Sequence, residues 1–456
     1  MNIYLSIEIV VRELDSKLLL GILAAAKGHH VIVSDLESIE KGIIKGLLAP
    51  GIFHTKSLTP AVSKIARHKI MVDKGFKISS IDEEGGLDIH GYDEFSKTRY
   101  SEQTIKQASA IFGWGSEDID TLKQLYPKFT SKMYKTGSPR ADLWKSHFSQ
   151  YWDVPKGLPN KPFLLISSNM GLINNRQPFH ELVKIKKNSG YFERDSKLFK
   201  EDFSRAAEES LKIAEFIEAI QYLSNNKKGY DIVLRPHPLE NVEAWKFYLE
   251  GIPNVHVIRE GTINTWVNNA FAVMHNGCTT AFEASVSNKP VITYAPYNLQ
   301  HIKNPPNEIG YLVESTKELL ERVNTIFDNM KSNDKKKSTE NLHKSMNKKI
   351  YLDDNELAAE KIIKIWENIA DENLNRTLEI KKFKSLLNYI KFRKSISKVL
   401  RNLFPGKLGR FKENNKFPLF NKNDVYERVN RLQNILGIKG LECKLLSDRT
   451  ILIKRT

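Results

Sequence analysis

Over the first 330 residues, short apolar and β-branched runs alternate with stretches whose apolar positions recur every three or four residues. The runs read as strands buried on both faces and the stretches as amphipathic helices. In order, the pattern predicts a strand at 3–10, a helix at 15–27, a strand at 30–34 and a helix at 39–47. Then come a helix from Pro60 to Lys74, a strand at 77–81, a helix at 102–108, a strand at 110–114, a helix at 117–126 and a strand at 132–134. This rhythm predicts a parallel, doubly wound domain over residues 1–150.

The rhythm lapses at 152–161, where DVPKGLPNK concentrates Pro, Gly and Lys as a linker would. It restarts with strands at 163–167, 230–234, 255–258, 270–274 and 291–294 and a long helix at 201–223, a second parallel domain over 160–350. An amphipathic helix at 356–369 lies in a segment, 351–375, expected to return to the first domain. Residues 376–456 change composition and read as a basic appendage ending in a small helix and strands at 443–446 and 450–453. The expected fold class is α/β, with two Rossmann-like domains and a basic C-terminal appendage. Two such domains joined by a linker make the glycosyltransferase-B architecture, whose active site lies in the interdomain cleft.

Composition narrows the picture in two places. Two cysteines, Cys278 and Cys443, give no disulfide framework and no metal spacing, which suits a reducing, cytoplasmic compartment. The start, MNIYLSIEIVVREL, carries Glu8 inside its apolar run and reads as a strand rather than a signal peptide; no apolar run is long enough to span a bilayer. Seventy Lys and Arg against 54 Asp and Glu leave a formal charge of +16. Lys381 to Lys412 holds eleven basic residues and no acidic one, with apolar residues near helical spacing until Pro405-Gly406. Such a helix either binds the anionic inner face of a membrane or packs with a solvated lysine side. Nucleic acid is not expected as a partner, because no recognised binding module accompanies the charge.

Three strand ends and two loops carry candidate chemistry. In YDIVLRPHPLE, a strand runs into Arg235-Pro236-His237-Pro238, two prolines holding Arg235 and His237 on a stiff loop. At the carboxyl edge of a parallel sheet, a guanidinium and an imidazole suit a phosphate-bearing ligand; otherwise His237 merely caps a helix near Glu240. In MHNGCTTAFEA, a strand turns at Asn276-Gly277 and a helix opens with Cys278-Thr279-Thr280, a place for an anion, with Glu283 one turn on to reach ribose hydroxyls. In SIDEEGG, Asp82, Glu83 and Glu84 crowd a strand end, where mutual repulsion is expected to raise one pKa and make a base. Asn169 and Gly171 follow the second domain's first strand, and Arg140 in TGSPRAD either faces the cleft or makes a structural salt bridge to Asp142 or elsewhere. No metal-like cluster is seen, so no metal is required.

DEEGG, TGSPRAD, VLRPHP, VIREG and HNGCTTAFEA, taken in this order over roughly residues 1–330, resemble the bacterial surface carbohydrate biosynthesis family. Fragments are similar to bacterial CMP-sialic acid and CMP-Kdo transferases of the glycosyltransferase-B type. The resemblance implies that Glu83 or Glu84 is the general base on an acceptor hydroxyl and that His237 binds and protonates the departing CMP phosphate. Thr279 and Thr280 would be phosphate contacts. The implied reaction transfers an ulosonic acid from a CMP-activated donor to a glycan or lipid-linked glycan acceptor, without a metal. The alternatives are a CDP-polyol phosphotransferase, a UDP-sugar transferase or UDP-N-acetylglucosamine 2-epimerase relative, and a non-catalytic binding protein.

Overall fold

The computed structural model describes residues 1–84, 92–193, 195, 197–296, 305–331, 346, 348–371, 374, 379–403 and 417–456. Gly85 and Gly86 of the acidic motif, and residues 404–412 of the basic stretch with Pro405-Gly406, lie outside them. The chain forms two compact units, Met1–Leu143 with Asn347–Thr456, and Trp144–Met346.

The strands of the first part of the chain are β1 (Asn2–Ile7), β2 (His30–Asp35), β3 (Ile52–Thr55), β4 (Lys77–Ile81), β5 (Ala108–Gly113) and β6 (Met133–Lys135). The second unit holds β7 (Phe163–Ser167), β8 (Asp231–Arg235), β9 (Val255–Val257), β10 (Ala272–His275), β11 (Val291–Tyr294) and β12 (Tyr311–Val313). β13 (Leu441–Ser447) and β14 (Thr450–Arg455) come last.

The first unit's sheet runs β13-β14-β2-β1-β3-β4-β5-β6. β1 to β6 pair in parallel, while β14 lies antiparallel to both β2 and β13. Strand order reverses between β1 and β3, so a topological switch lies there. The second unit's sheet is wholly parallel in the order β12-β11-β10-β7-β8-β9. Read from its first strand, β7, this is the 3-2-1-4-5-6 order of dinucleotide-binding domains, with its switch between β7 and β10. Its core gathers Leu164, Ile166, Ile232, Leu234 and Met274 from the strands under Phe216, Ile220 and Leu223 of the long helix Lys197–Asn226.

The structure differs from the sequence reading in two places, one for a local reason and one for a long-range reason. β3 and β12, with four and three residues, are too short to show a period, and β3 is flanked by Pro50-Gly51. The larger difference is the tail. The expected appendage is, where described, part of the first unit. β14 pairs with β2 from Thr450↔Ser34 to Ile453↔Val31, and the helix Ile380–Leu403 buries Phe383, Leu386, Leu387 and Ile390 in the same core as Ile39 and Ile43. Gly42 admits this helix: a Cβ there would come within 2.8 Å of Phe383. Four such side chains bury roughly 6–12 kcal/mol of hydrophobic free energy as an upper bound, far more than a loosely tethered helix needs. The helix Ala358–Ile369 also returns to this unit, its first amides (Ala358, Ala359) donating to Asp142 at 3.0 and 2.9 Å and Trp366 donating to Ser79.

Candidate active site

In the second unit, three strand ends meet beside the switch between β7 and β10. Ser167 at the end of β7 donates to Cys278 Sγ (3.1 Å) and lies 3.2 Å from Thr280 Oγ1. Asn169 donates across the switch to the Gly277 carbonyl at 3.0 Å. Gly277 has φ +78°, the left-handed turn that starts the loop. On the other side, Gly171 lies against the histidine loop: a Cβ there would sit 3.2 Å from Leu239 Cβ and 3.8 Å from His237 Nδ1. The residues read from the sequence as three separate motifs thus occupy one edge of one sheet.

Their roles differ, however. Arg235 donates through both terminal nitrogens to the Glu260 and Gly261 carbonyls, and burial pulls its pKa down to about 10. It therefore braces the neighbouring loop, whose Arg259 in turn donates to the exposed Pro238's carbonyl. Asn276 is buried and donates to the Tyr294 carbonyl. Cys278 and Thr280 turn inward, and burial raises the Cys278 thiol. Glu283 is buried and accepts from Asn264 at 2.8 Å. Asn169 and Thr279 are exposed and His237, like Arg235, is partly so; Thr279 starts the helix Thr280–Val286 without capping it.

His237 is held in a definite state. The Leu239 amide donates to Nδ1 at 3.3 Å, so the neutral ring carries its proton on Nε2. Burial lowers its pKa, outweighing Glu240. At neutral pH His237 therefore presents an N–H donor rather than a cation. Glu240 fixes the loop. Fully buried, its carboxylate accepts from Ser168 Oγ, the Met170 and His237 amides, Asn174 Nδ2 and Trp245 Nε1. The pattern alone marks Glu240 only as a helix start; its place two residues after Pro238 and ahead of the amphipathic Val242–Tyr248 is the signal available.

In the first unit the acidic motif follows β4. Asp82 takes both Arg99 Nε (2.7 Å) and Nη2 (2.8 Å), accepts the Glu84 amide at 3.0 Å, and gives its carbonyl to Trp114 Nε1. Glu83 forms a buried ion pair with Lys17 at 2.8 Å, while its carbonyl accepts from Arg140. Glu84 is the carboxylate at the surface, its side chain 46% exposed, with Arg12 at 3.3 Å and Arg99 at 3.5 Å. The expected raised base is not found there. Partial burial pushes its pKa up, but Arg99, Arg12 and Lys56 outweigh that and hold Glu84 below the usual carboxylate range. Cations interleave the three acids, so repulsion does not govern them. A carboxyl that is raised next to Glu83 is Glu13, through burial and then Glu83 itself. It sits at the start of the helix Val10–Ala26 and accepts the Glu8 amide. Arg12, Glu13, Lys17 and Arg99 escaped the sequence reading because they lie on helices remote in sequence from the motif.

No family model matches the chain, and no curated protein does. Solved structures do. A proposed UDP-N-acetylglucosamine 2-epimerase from Listeria monocytogenes matches with a TM-score of 0.51 at 14% identity, over 82% of this chain and 99% of that one. The fold is of the glycosyltransferase-B type. The UDP-GlcNAc 2-epimerase from Methanocaldococcus jannaschii matches at 0.49 and 13%, over 81% of this chain and all of that one. The wall teichoic acid polymerase TagF matches at 0.45 and 9%, over 72% of this chain and 73% of that one. The expectation of a CMP-sialic acid or CMP-Kdo transferase finds no support among these three.

Proposed function

We propose that this protein is a nucleotide-sugar-dependent enzyme of surface carbohydrate assembly whose second unit binds the nucleotide phosphate. One observation carries the reading: at the carboxyl edge of a 3-2-1-4-5-6 sheet, an imidazole whose Nδ1 accepts the Leu239 amide keeps its proton on Nε2, in a loop packed against Gly171, with Asn169 and Thr279 exposed on the same edge. A group that leaves as a nucleotide builds negative charge on phosphate, and a preorganised donor stabilises that charge as it forms. Arg235, engaged with carbonyls, keeps the scaffold rigid.

Glu84 is assigned the base. Asp82 and Glu83 are each committed to a cation inside the unit, and Glu84 has open surface. Ionised well below neutrality, it is in the acceptor form over a broad pH range, and the neighbouring Arg99 and Arg12 make it a weak base. Glu84→Gln is expected to lower turnover by about 10²–10⁴-fold. It should leave the melting temperature nearly unchanged, since exposed ion pairs contribute about 0–1 kcal/mol. A metal is not part of the proposal, and EDTA should leave turnover unchanged.

Among donors, UDP-sugars gain support from the fold match to the Listeria protein. CMP-ulosonates rest on the motif resemblance, and CDP-polyols share the histidine-proline signature. Thermal shift with CMP, CDP, UDP and GDP at matched concentrations separates them. A ligand at about 100 times its dissociation constant stabilises the fold by roughly 2.7 kcal/mol. A shift with UDP alone selects the first class; one with CMP or CDP selects the others. No shift with any nucleotide, or a shift that survives His237→Ala, sinks the assignment of this edge. The same proposal places the enzyme at the cytoplasmic face of a membrane, held through its basic C-terminal region; no described helix is long and apolar enough to cross one.

A further inference from the structure

The helix Ile380–Leu403 carries two apolar stripes rather than one. The first, Phe383, Leu386, Leu387 and Ile390, is buried in the core of the first unit. The second, Tyr389, Phe392, Ile396, Val399 and Leu400, is 41–62% exposed. At about 100° per residue the second stripe is centred roughly 140° around the helix from the first and runs about 16 Å along it. The helix therefore docks by its amino half and presents its carboxyl half outward with a bare apolar face.

The charges around that face identify its partner. The helix carries eight Lys and Arg and no acidic residue. Lys391 and Lys394 pair with Asp448 and Glu37 of the same unit and tie the helix to it, while Lys381, Lys382, Lys384 and Lys398 are exposed. Arg393 borders the apolar stripe and is exposed, and Lys45 lies 5.7 Å over the ring of Tyr389. A nucleic acid would engage the exposed cations alone and leave the apolar stripe in water. A bare apolar stripe edged by cations fits the interface of an anionic bilayer, where the rings and branched side chains enter the acyl boundary and the cations meet headgroups.

We propose that Tyr389, Phe392, Ile396, Val399 and Leu400 form the membrane-contacting face of this protein, with an anionic lipid surface as its partner. This rests on the membrane placement given above, and names the side chains that make it. The test is co-sedimentation of the full chain with vesicles of phosphatidylglycerol and phosphatidylethanolamine, and with phosphatidylcholine vesicles as the neutral control. The expected result is binding to the anionic vesicles, at least tenfold weaker to the neutral ones. The triple variant Phe392→Ser, Ile396→Ser, Val399→Ser should lose at least tenfold with an unchanged melting temperature, because the replaced side chains are exposed. Vesicle binding that survives the triple variant overturns the assignment of this face. A wild-type dimer in solution that the triple variant dissolves, without vesicle binding, overturns it in favour of a second copy. A nucleotide shift retained while vesicle binding is absent refutes this face and leaves the enzyme reading standing.

Discussion

Glu240 offers the sharpest test of how the second unit holds its histidine. Glu240→Gln keeps volume and removes one acceptor oxygen. The Met170 and His237 amides and Ser168 Oγ converge on Oε1; Trp245 Nε1, Asn174 Nδ2 and Ser168 Oγ converge on Oε2. Whichever way the glutamine turns, its NH2 faces two N–H donors, and only the Ser168 hydroxyl can rotate away. Two buried donors left without an acceptor cost about 1–3 kcal/mol each, so a loss near 4 kcal/mol is expected. For a unit of this size, each kcal/mol moves the midpoint by about 2–4 °C, giving a fall of roughly 8–16 °C in the transition of the second unit. Calorimetry of the full chain reads it, with Trp245→Phe as the second arm of a double-mutant cycle. Trp245→Phe should cost about 1–2 kcal/mol less in the glutamine background than in the wild type. A loss under about 1 kcal/mol, or additive effects in the cycle, would refute the carboxylate as the common acceptor.

Lys17→Met leaves Glu83 charged and unpaired inside the first unit, with side chains only 1% and 3% exposed in the wild type. Denaturant unfolding should show about 3–5 kcal/mol lost, and Glu83→Gln added to it should recover part of that. His68 is buried with neither ring nitrogen hydrogen-bonded, and burial lowers its pKa from 6.5 to about 4. Its folded pKa is depressed, so its contribution is present above pH 6.5 and is lost as pH falls toward 4, on the order of 3 kcal/mol in all. His68→Phe should flatten the stability profile of the first unit across that window; an unchanged slope there would remove His68 as its cause.

What the sequence made legible follows from what is local. β7 and β11 match their apolar runs to the residue, because a strand buried on both faces writes itself as a continuous run. The stiff Arg235-Pro236-His237-Pro238 loop and the Gly277 turn were readable because proline and glycine act on their own backbones. The partners of those motifs were not. Lys17 meets Glu83 across 66 residues of sequence, Arg99 and Arg12 clamp Asp82 and Glu84, and Glu240 gathers donors from Ser168 onward. Such long-range pairs reversed the expected behaviour of the acidic motif, from repulsion and a raised pKa to clamping and a lowered one at Glu84. The tail misled for a related reason. Its basic composition was plain, but pairing of β14 with β2 is a relation between residues some 400 positions apart, visible only once both are folded.

That pairing also sets an order of assembly. A ribosome delivers residues 1–143 first, yet the sheet they begin keeps β2 as a bare edge, and Gly21 lacks the Ile453 side chain that packs 3.1 Å from its would-be Cβ. Unit two is uninterrupted, so every strand it needs exists once Met346 has been made. The later-born half thus closes before the earlier-born one, which waits for Thr450–Arg455 to emerge. A chain truncated after residue 346 should carry a protease-resistant second half and a cleavable first half, and until β14 pairs, the exposed edge of β2 is where a chaperone has work to do.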